Sequence, residues 1–108
     1  MSQSHTFVDL DPAAVEAQRG KVRIIDVREP DEYKGELGHI PEAELVPLAT
    51  VPAQALSWPR DTPVIMVCRS GGRSGRAAGE LVRMGFSQVH NMVGGMLRWN
   101  QEQRTIAR

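Results

Sequence analysis

The chain has 108 residues, with 13 basic and 13 acidic side chains and a formal net charge of zero. This length suits one hydrophobic core, so we expect residues 1–108 to form a single domain. Nucleic acids and anionic membrane surfaces usually demand a basic excess, so the balanced charge argues against both as main partners. The single cysteine excludes an internal disulfide, and no segment resembles a secretory signal or reaches membrane-spanning length. We therefore expect a cytoplasmic protein.

Strand and helix signals alternate along the first half of the chain. Residues 1–5 are expected to be a loose end, and residues 6–8 predict a short edge strand. An Asp-Leu-Asp-Pro entry predicts a helix over 13–18, because aspartate caps helices and proline suits their first turn. The β-branched run at 22–27 predicts a central strand, and the proline and acids of 29–33 open a short helix.

The second half continues this alternation. Residues 35–47 are rich in glycine and proline and predict a loop that holds a short strand at 44–46. The remaining predicted elements are a helical stretch at 48–58 interrupted at Pro52, a buried strand at 64–67, a helix that stops at Gly85, a strand at 87–92 and a terminal helix that starts at 96. Because chain ends fray, we expect residues 104–108 to be loose. Strands that alternate with helices in this way predict an α/β domain with a mostly parallel sheet.

The cysteine, Cys68, lies where the buried strand ends and a glycine-rich loop leads into the next helix. Ligands of parallel sheets bind beyond the carboxyl ends of the strands. Backbone N–H groups of such a loop and of the helix's first turn favour an anion, and Arg69 and Arg73 add positive charge. Gly71 and Gly72 permit positive φ and place no Cβ in a ligand's way. We therefore expect a thiol of lowered pKa that acts as a nucleophile, since inert core cysteines rarely have such neighbours.

Four segments, taken together, resemble the rhodanese (thiosulfate sulfurtransferase) family. They are the loop Cys68-x-x-Gly71-x-Arg73-Ser74, the stretch Asp26-Val27-Arg28-Glu29 followed by Glu32-Tyr33, the stretch Gly38-His39-Ile40-Pro41, and Gly94-Gly95-Met96 with Trp99. The resemblance spans about residues 6–100. It implies a rhodanese-like α/β fold, in which a parallel sheet of about five strands has helices on both faces.

The resemblance also implies a reaction and assigns residues to it. Cys68 would carry a persulfide, moving a sulfane sulfur from thiosulfate or another persulfide donor to cyanide or a thiol acceptor. Neither a metal nor a cofactor is implied, and a sulfur-accepting protein is a further partner. The residues expected to bind the anionic donor are Arg69, Ser70, Gly71, Gly72 and Arg73, and those expected to support the site are Ser74, Asp26 and Arg28.

Three further expectations concern residues outside the loop. Asp26 and Arg28 end the second strand, at the edge of the sheet where Cys68 lies, and should form an ion pair or backbone hydrogen bonds that shape the loop. His39 lies in a turn and should bond backbone rather than act with Cys68. Where the family often has glycine and asparagine, this chain has Glu42 and Leu45, and we expect a local change in that turn.

Two other functions remain open from the sequence. Related phosphatases and arsenate reductases use a cysteine and an arginine in a Cys-x5-Arg loop, but Cys68 and Arg73 form Cys-x4-Arg, a smaller cradle that suits one sulfur atom. Some rhodanese-like modules are non-catalytic binding, regulatory or sulfur-relay domains, and those that do not catalyse typically lack the cysteine that this chain keeps.

Overall fold

A computed structural model describes residues 6–108, and a sheet of five parallel strands in the order β1-β5-β4-β2-β3 forms its centre. The strands are β1 Val8–Leu10, β2 Arg23–Asp26, β3 Glu44–Leu45, β4 Val64–Val67 and β5 Val89–Met92. The helices are α1 Pro12–Ala17, α2 Pro30–Tyr33, α3 Val51–Ala55, α4 Gly72–Arg83 and α5 Gly95–Gln101, with a 3₁₀ turn at Leu48–Thr50. The predicted loose end at residues 1–5 lies outside the described residues.

The middle strand, β4, is buried along its whole length, as its unbroken apolar run predicts. Alternate side chains enter two hydrophobic clusters on opposite faces of the sheet. Met66 packs on one face with residues of α3 and α4, whereas Ile65 packs on the other with residues of α1 and α5. The predicted α/β fold with helices on both faces is confirmed.

Local capping signals place the early helices as predicted. The Asp11 carboxylate accepts a hydrogen bond from the backbone N–H of Ala14 at 2.9 Å and caps α1. At α2 the Glu32 carboxylate accepts from the backbone N–H of Glu29 at 3.0 Å. The predicted helical stretch at 48–58 is divided just before Pro52, into the 3₁₀ turn at Leu48–Thr50 and α3, and it ends at Ala55. Pro52 lies in the first turn of α3, where a missing N–H costs nothing.

The turn that contains Glu42 is a tight one, closed by the Ala43 N–H donating to the carbonyl of Ile40 at 2.9 Å. Glu42 adopts a φ of 74°, the left-handed conformation that glycine usually occupies. Its carboxylate is bound by Arg19, with 3.0 Å between Nε and Oε1. The turn thus holds a glutamate where the family often has glycine, and Leu45 lies in β3.

The expectation that residues 104–108 are loose is wrong, because this segment packs back on the domain. Ala107 forms an isolated antiparallel bridge with His39, and each backbone N–H donates to the other residue's carbonyl at 2.8 Å. The carbonyl of Thr105 accepts from the indole N–H of the fully buried Trp99 at 2.9 Å. A Cβ on Gly38 would lie 2.5 Å from the carbonyl oxygen of Ala107, which explains a glycine at that position.

Within residues 6–108, no helix has both the length and the apolar character needed to cross a membrane.

Removing residues 104–108 should therefore destabilise the domain. The buried indole N–H of Trp99 loses its acceptor and Ile106 no longer packs on the core, so we expect the free energy of unfolding to fall by about 2 kcal/mol or more. Urea unfolding measures it. Arg108→Ala, which removes only exposed contacts to two loop carbonyls, is the control and should cost less than about 1 kcal/mol. Equal stability of the truncated and full chains would contradict the packing described.

Candidate active site

Cys68 directly follows β4, and only 1% of it is exposed. The chain turns sharply after it, because Gly71 has a φ of 108°, a conformation that other residues rarely adopt. This turn aims the backbone N–H of Gly71 at the Cys68 Sγ, 3.1 Å away. Gly72 does not use its freedom: it is the first residue of α4, its φ is not positive, and a Cβ on it would meet only open space.

The environment of the Cys68 thiol contains opposing effects. Burial raises its pKa, since a charged sulfur loses contact with water. The Ser74 hydroxyl and the backbone N–H groups of Ser74, Gly71 and Ser70 donate to the sulfur and lower the pKa. The hydrogen bonds outweigh burial, so the pKa of Cys68 lies below its ordinary value. The lowered pKa is the direction that the sequence predicts, and its cause is hydrogen bonding to the Cys68 sulfur.

A buried asparagine that sequence reasoning missed completes this cluster. The Ser74 Oγ lies 3.3 Å from the Cys68 Sγ and 2.6 Å from the Oδ1 of Asn91 on β5. The Asn91 Nδ2 in turn donates to the carbonyl of Gly71 at 3.3 Å. One signal could have revealed it: a polar residue near the end of a mostly buried strand, at the same edge of the sheet as Cys68.

The start of α5, after the turn that follows β5, fixes the backbone of the loop. The N–H groups of Met96 and Leu97 donate to the carbonyls of Cys68 and Arg69 at 2.8 and 3.0 Å. Gly95 has a φ of 58°, and a Cβ on it would lie 2.4 Å from the carbonyl carbon and oxygen of Arg69. Glycine is thus required at this position by both conformation and close approach.

The two arginines of the loop have different surroundings. Arg73 on α4 forms a bidentate ion pair with Glu32 on α2, with N–O distances of 2.8 and 2.9 Å. These hydrogen bonds lower the pKa of Glu32 to about 2, so the pair is ionised at neutral pH. Arg69 is exposed, and its side chain has no hydrogen-bonding or ionic partner among the described residues; the neighbouring Ser70 is exposed as well.

Asp26 and Arg28 form the predicted ion pair, and both are fully buried. The closest of their N–O distances is 2.8 Å, and Arg28 also donates to the carbonyl of Gly38 at 2.6 Å. The pair therefore holds the Gly38 turn, and no hydrogen bond in the described chain runs from it to the loop at 69–73. His39 contacts the carbonyl of Tyr33 through Nδ1 at 2.8 Å, which confirms its predicted backbone contact.

Replacing Gly95 by alanine should damage the loop more than an average glycine substitution. The new Cβ meets backbone that has no room to move, so we expect a loss of about 2–4 kcal/mol in unfolding free energy and slower alkylation of Cys68. Urea unfolding and iodoacetamide labelling measure the two effects. Gly79→Ala on α4 is the matched control: its Cβ makes only ordinary contact, and the helix should gain up to about 1 kcal/mol. If both variants behave alike, the close approach at Gly95 has no energetic weight.

Comparison with known proteins places this loop in a family. The model of the Rhodanese-like domain matches residues 11–102. The chain is 39% identical over 79 residues to the uncharacterized protein YqhL of Bacillus subtilis, a match that covers 73% of this chain and 61% of that protein. It is 38% identical over 78 residues to the thiosulfate sulfurtransferase GlpE of Pseudoalteromonas translucida, covering 72% of each. The crystal structure of a rhodanese-like domain protein from Staphylococcus aureus, 28% identical, matches with a TM-score of 0.79 and covers 94% of this chain and all of that one. The chain therefore belongs to the rhodanese-like domain family, which includes sulfurtransferases among its relatives.

Proposed function

We propose that this chain is a thiosulfate sulfurtransferase in which Cys68 carries the transferred sulfur as a persulfide. The observation that carries the proposal is the convergence of hydrogen-bond donors on one buried sulfur, which lowers the pKa of Cys68. A thiolate is the reactive form of cysteine, so such a site is prepared for nucleophilic attack.

The proposed reaction has two steps. The Cys68 thiolate attacks the outer sulfur of thiosulfate, so that a sulfur–sulfur bond forms on Cys68 while the sulfur–sulfur bond of the donor breaks and sulfite leaves with the electron pair. Cyanide or a thiolate then attacks the outer sulfur of the persulfide, forming thiocyanate or a new persulfide and restoring the Cys68 thiolate. Each leaving group is a stable anion, so neither step needs an acid to protonate it.

Charge at the loop bears on how a donor binds. Arg73 already donates two hydrogen bonds to Glu32, so its capacity for a further anion is reduced. Within residues 6–108, no group accepts a hydrogen bond from the Arg69 side chain. We therefore assign the main contact with the donor's sulfonate to Arg69, while Arg73 contributes positive potential from a fixed position.

A persulfide donor is the second candidate for the same chemistry. Arg69 and Arg28 line a cleft of about 250 Å³ together with three carboxylates, Asp31, Glu32 and Glu36. Arg28 is paired with Asp26 and Glu32 with Arg73, so among the described residues the carboxylates of Asp31 and Glu36 are the unpaired acids of this cleft. Carboxylates repel a small dianion but attract an ammonium group, which glutathione persulfide possesses and thiosulfate lacks. This observation favours a low-molecular-weight persulfide or a protein persulfide as a donor beside thiosulfate, with a thiol or a sulfur-accepting protein of the cytoplasm as acceptor.

Phosphatase and arsenate reductase chemistry fits the loop less well. The loop spans four residues between Cys68 and Arg73, and that arginine is bound to Glu32 instead of facing an empty cradle. A purely binding role would leave the lowered pKa of Cys68 without a purpose. Loading of sulfur onto Cys68 distinguishes the proposed transferase from both alternatives.

Thiosulfate should add one sulfur atom to Cys68, and cyanide should remove it. Intact-protein mass spectrometry before and after each reagent measures this, with Cys68→Ser as the control that should take up none. Parallel incubation with glutathione persulfide compares the two donors. Faster loading from the persulfide would support the second candidate, whereas no adduct from either donor would contradict the proposal and call for assays with aryl phosphate and arsenate.

Replacing Arg69 by alanine should weaken thiosulfate use by about tenfold in kcat/KM, mainly through KM, because one charge-assisted contact is lost. Its exposed side chain contributes little to folding, so the thermal midpoint should be unchanged. Steady-state thiocyanate formation measures the effect. Arg76→Ala, an exposed arginine on α4, is the matched control and should change kcat/KM less than about twofold. Equal losses of kcat/KM in the two variants would mean that only the overall positive potential near the loop matters, and not a direct contact of Arg69 with the donor.

A further inference from the structure

The Ser74 hydroxyl lies between two acceptors and has one proton to give. The Cys68 Sγ is 3.3 Å away and the Asn91 Oδ1 is 2.6 Å away. All three residues are at least nine-tenths buried, so water cannot supply a second donor to either acceptor. The two contacts therefore compete for the same hydrogen.

The orientation of the Asn91 amide is fixed by its other contact. Its nitrogen donates to the carbonyl of Gly71 at 3.3 Å, and a carbonyl oxygen in that place would face another carbonyl. The amide oxygen must therefore face Ser74. Because an amide oxygen has no hydrogen, the 2.6 Å contact is a hydrogen bond only when Ser74 donates to it.

Two protonation states of Cys68 place different demands on this proton. With a neutral thiol, the S–H group donates to the Ser74 oxygen and Ser74 donates to Asn91, so each group is satisfied. With a thiolate, the sulfur needs the Ser74 proton, and donating it there leaves the buried amide oxygen of Asn91 without a donor. Asn91 therefore favours the uncharged form of the nucleophile.

We propose that Asn91 is a positioning residue that restrains the ionisation of Cys68 by competing for the Ser74 hydroxyl proton. This inference takes Cys68 as the reactive thiolate of the proposed function. By the same competition, a sulfur bound to Cys68 removes the charge from Sγ and lets Ser74 donate fully to Asn91. The pair would thus support the loaded, persulfide form at the expense of the free thiolate.

The proposal predicts opposite signs for two neighbouring substitutions. Asn91→Ala frees the Ser74 proton for the thiolate, so the pKa of Cys68 should fall and alkylation by iodoacetamide near pH 6 should quicken by about three- to tenfold. Ser74→Ala removes the donor, so the pKa should rise and alkylation should slow by a similar factor. A cavity that merely loosened the loop would raise the pKa in both variants.

The double variant tests whether the effect passes through Ser74. In the Ser74→Ala background, Asn91→Ala should no longer quicken alkylation. Any effect that Asn91 has through its hydrogen bond to Gly71 is the same in both backgrounds, so it cancels when the two effects of Asn91→Ala are subtracted. The other charged or titratable side chains on the surrounding elements stay the same in every variant: Arg69, Arg73 with Glu32, Asp26 with Arg28, and His90.

The measurement is the pH profile of alkylation together with thiolate absorbance, and neither readout requires sulfur transfer, so it stands even if the sulfur donor is misassigned. Changed access to Cys68 would move the plateau at high pH, whereas changed ionisation moves the midpoint. Asn100→Ala is the control and should leave the midpoint unchanged, because this half-buried asparagine on α5 contacts only backbone carbonyls away from Cys68.

A raised or unchanged midpoint in Asn91→Ala would overturn the proposal. So would a shift on adding Asn91→Ala to Ser74→Ala that equals the shift it causes in the wild-type protein. If Asn91→Ala fails to fold by circular dichroism, Asn91→Leu fills the space without an acceptor and should also lower the midpoint. Asn91→Asp should raise it, because a carboxylate holds the Ser74 proton more firmly and adds negative charge.

Discussion

The proposed reaction requires a buried sulfur to carry charge, and this is the constraint on which the rest of the site depends. Only 1% of Cys68 is exposed, so protein donors must take the place of water around a thiolate. Those donors come from the loop backbone and from Ser74 in the first turns of α4. The left-handed Gly71 is what brings the loop amides to face the sulfur. The chemistry therefore depends on backbone geometry as much as on the nucleophile itself.

The segments that resemble the family lie far apart in the chain but close together in the fold. The N–H groups of Met96 and Leu97, at the start of α5, hold the carbonyls of Cys68 and Arg69, and they can approach so closely only because Gly95 lacks a Cβ. Glu32, which belongs to the stretch that begins at Asp26, holds Arg73 at the start of α4. Two segments far from the loop in the chain thus meet it at the ends of neighbouring parallel strands and fix different parts of it. The stretch at Gly38 is held instead by the buried Asp26–Arg28 pair and by the strand bridge to Ala107.

Local patterns predicted most of the fold because burial and helix capping depend on short stretches of sequence. The apolar run of β4, the capped start of α1 and the position of Cys68 are all local features. Long-range pairing is different. The ion pair of Arg73 joins residues 41 positions apart, and neither residue's neighbours reveal its partner. The same reason applies to residues 104–108, whose order comes from contacts with Gly38 and His39.

The Glu32–Arg73 pair changes how the charge of this site should be understood. Two arginines beside a cysteine suggest a cradle built for a dianion, but one of them is already neutralised by a carboxylate that stays ionised well below neutral pH. The thiolate is then stabilised chiefly by hydrogen bonds, which act on the sulfur at short range and do not depend on the charge of the donor molecule. Such a site can activate Cys68 equally for an anionic or a zwitterionic sulfur donor. Under the proposed function, selection between the two donors is assigned to Arg69 and the carboxylates around it, which lie outside the loop that activates Cys68.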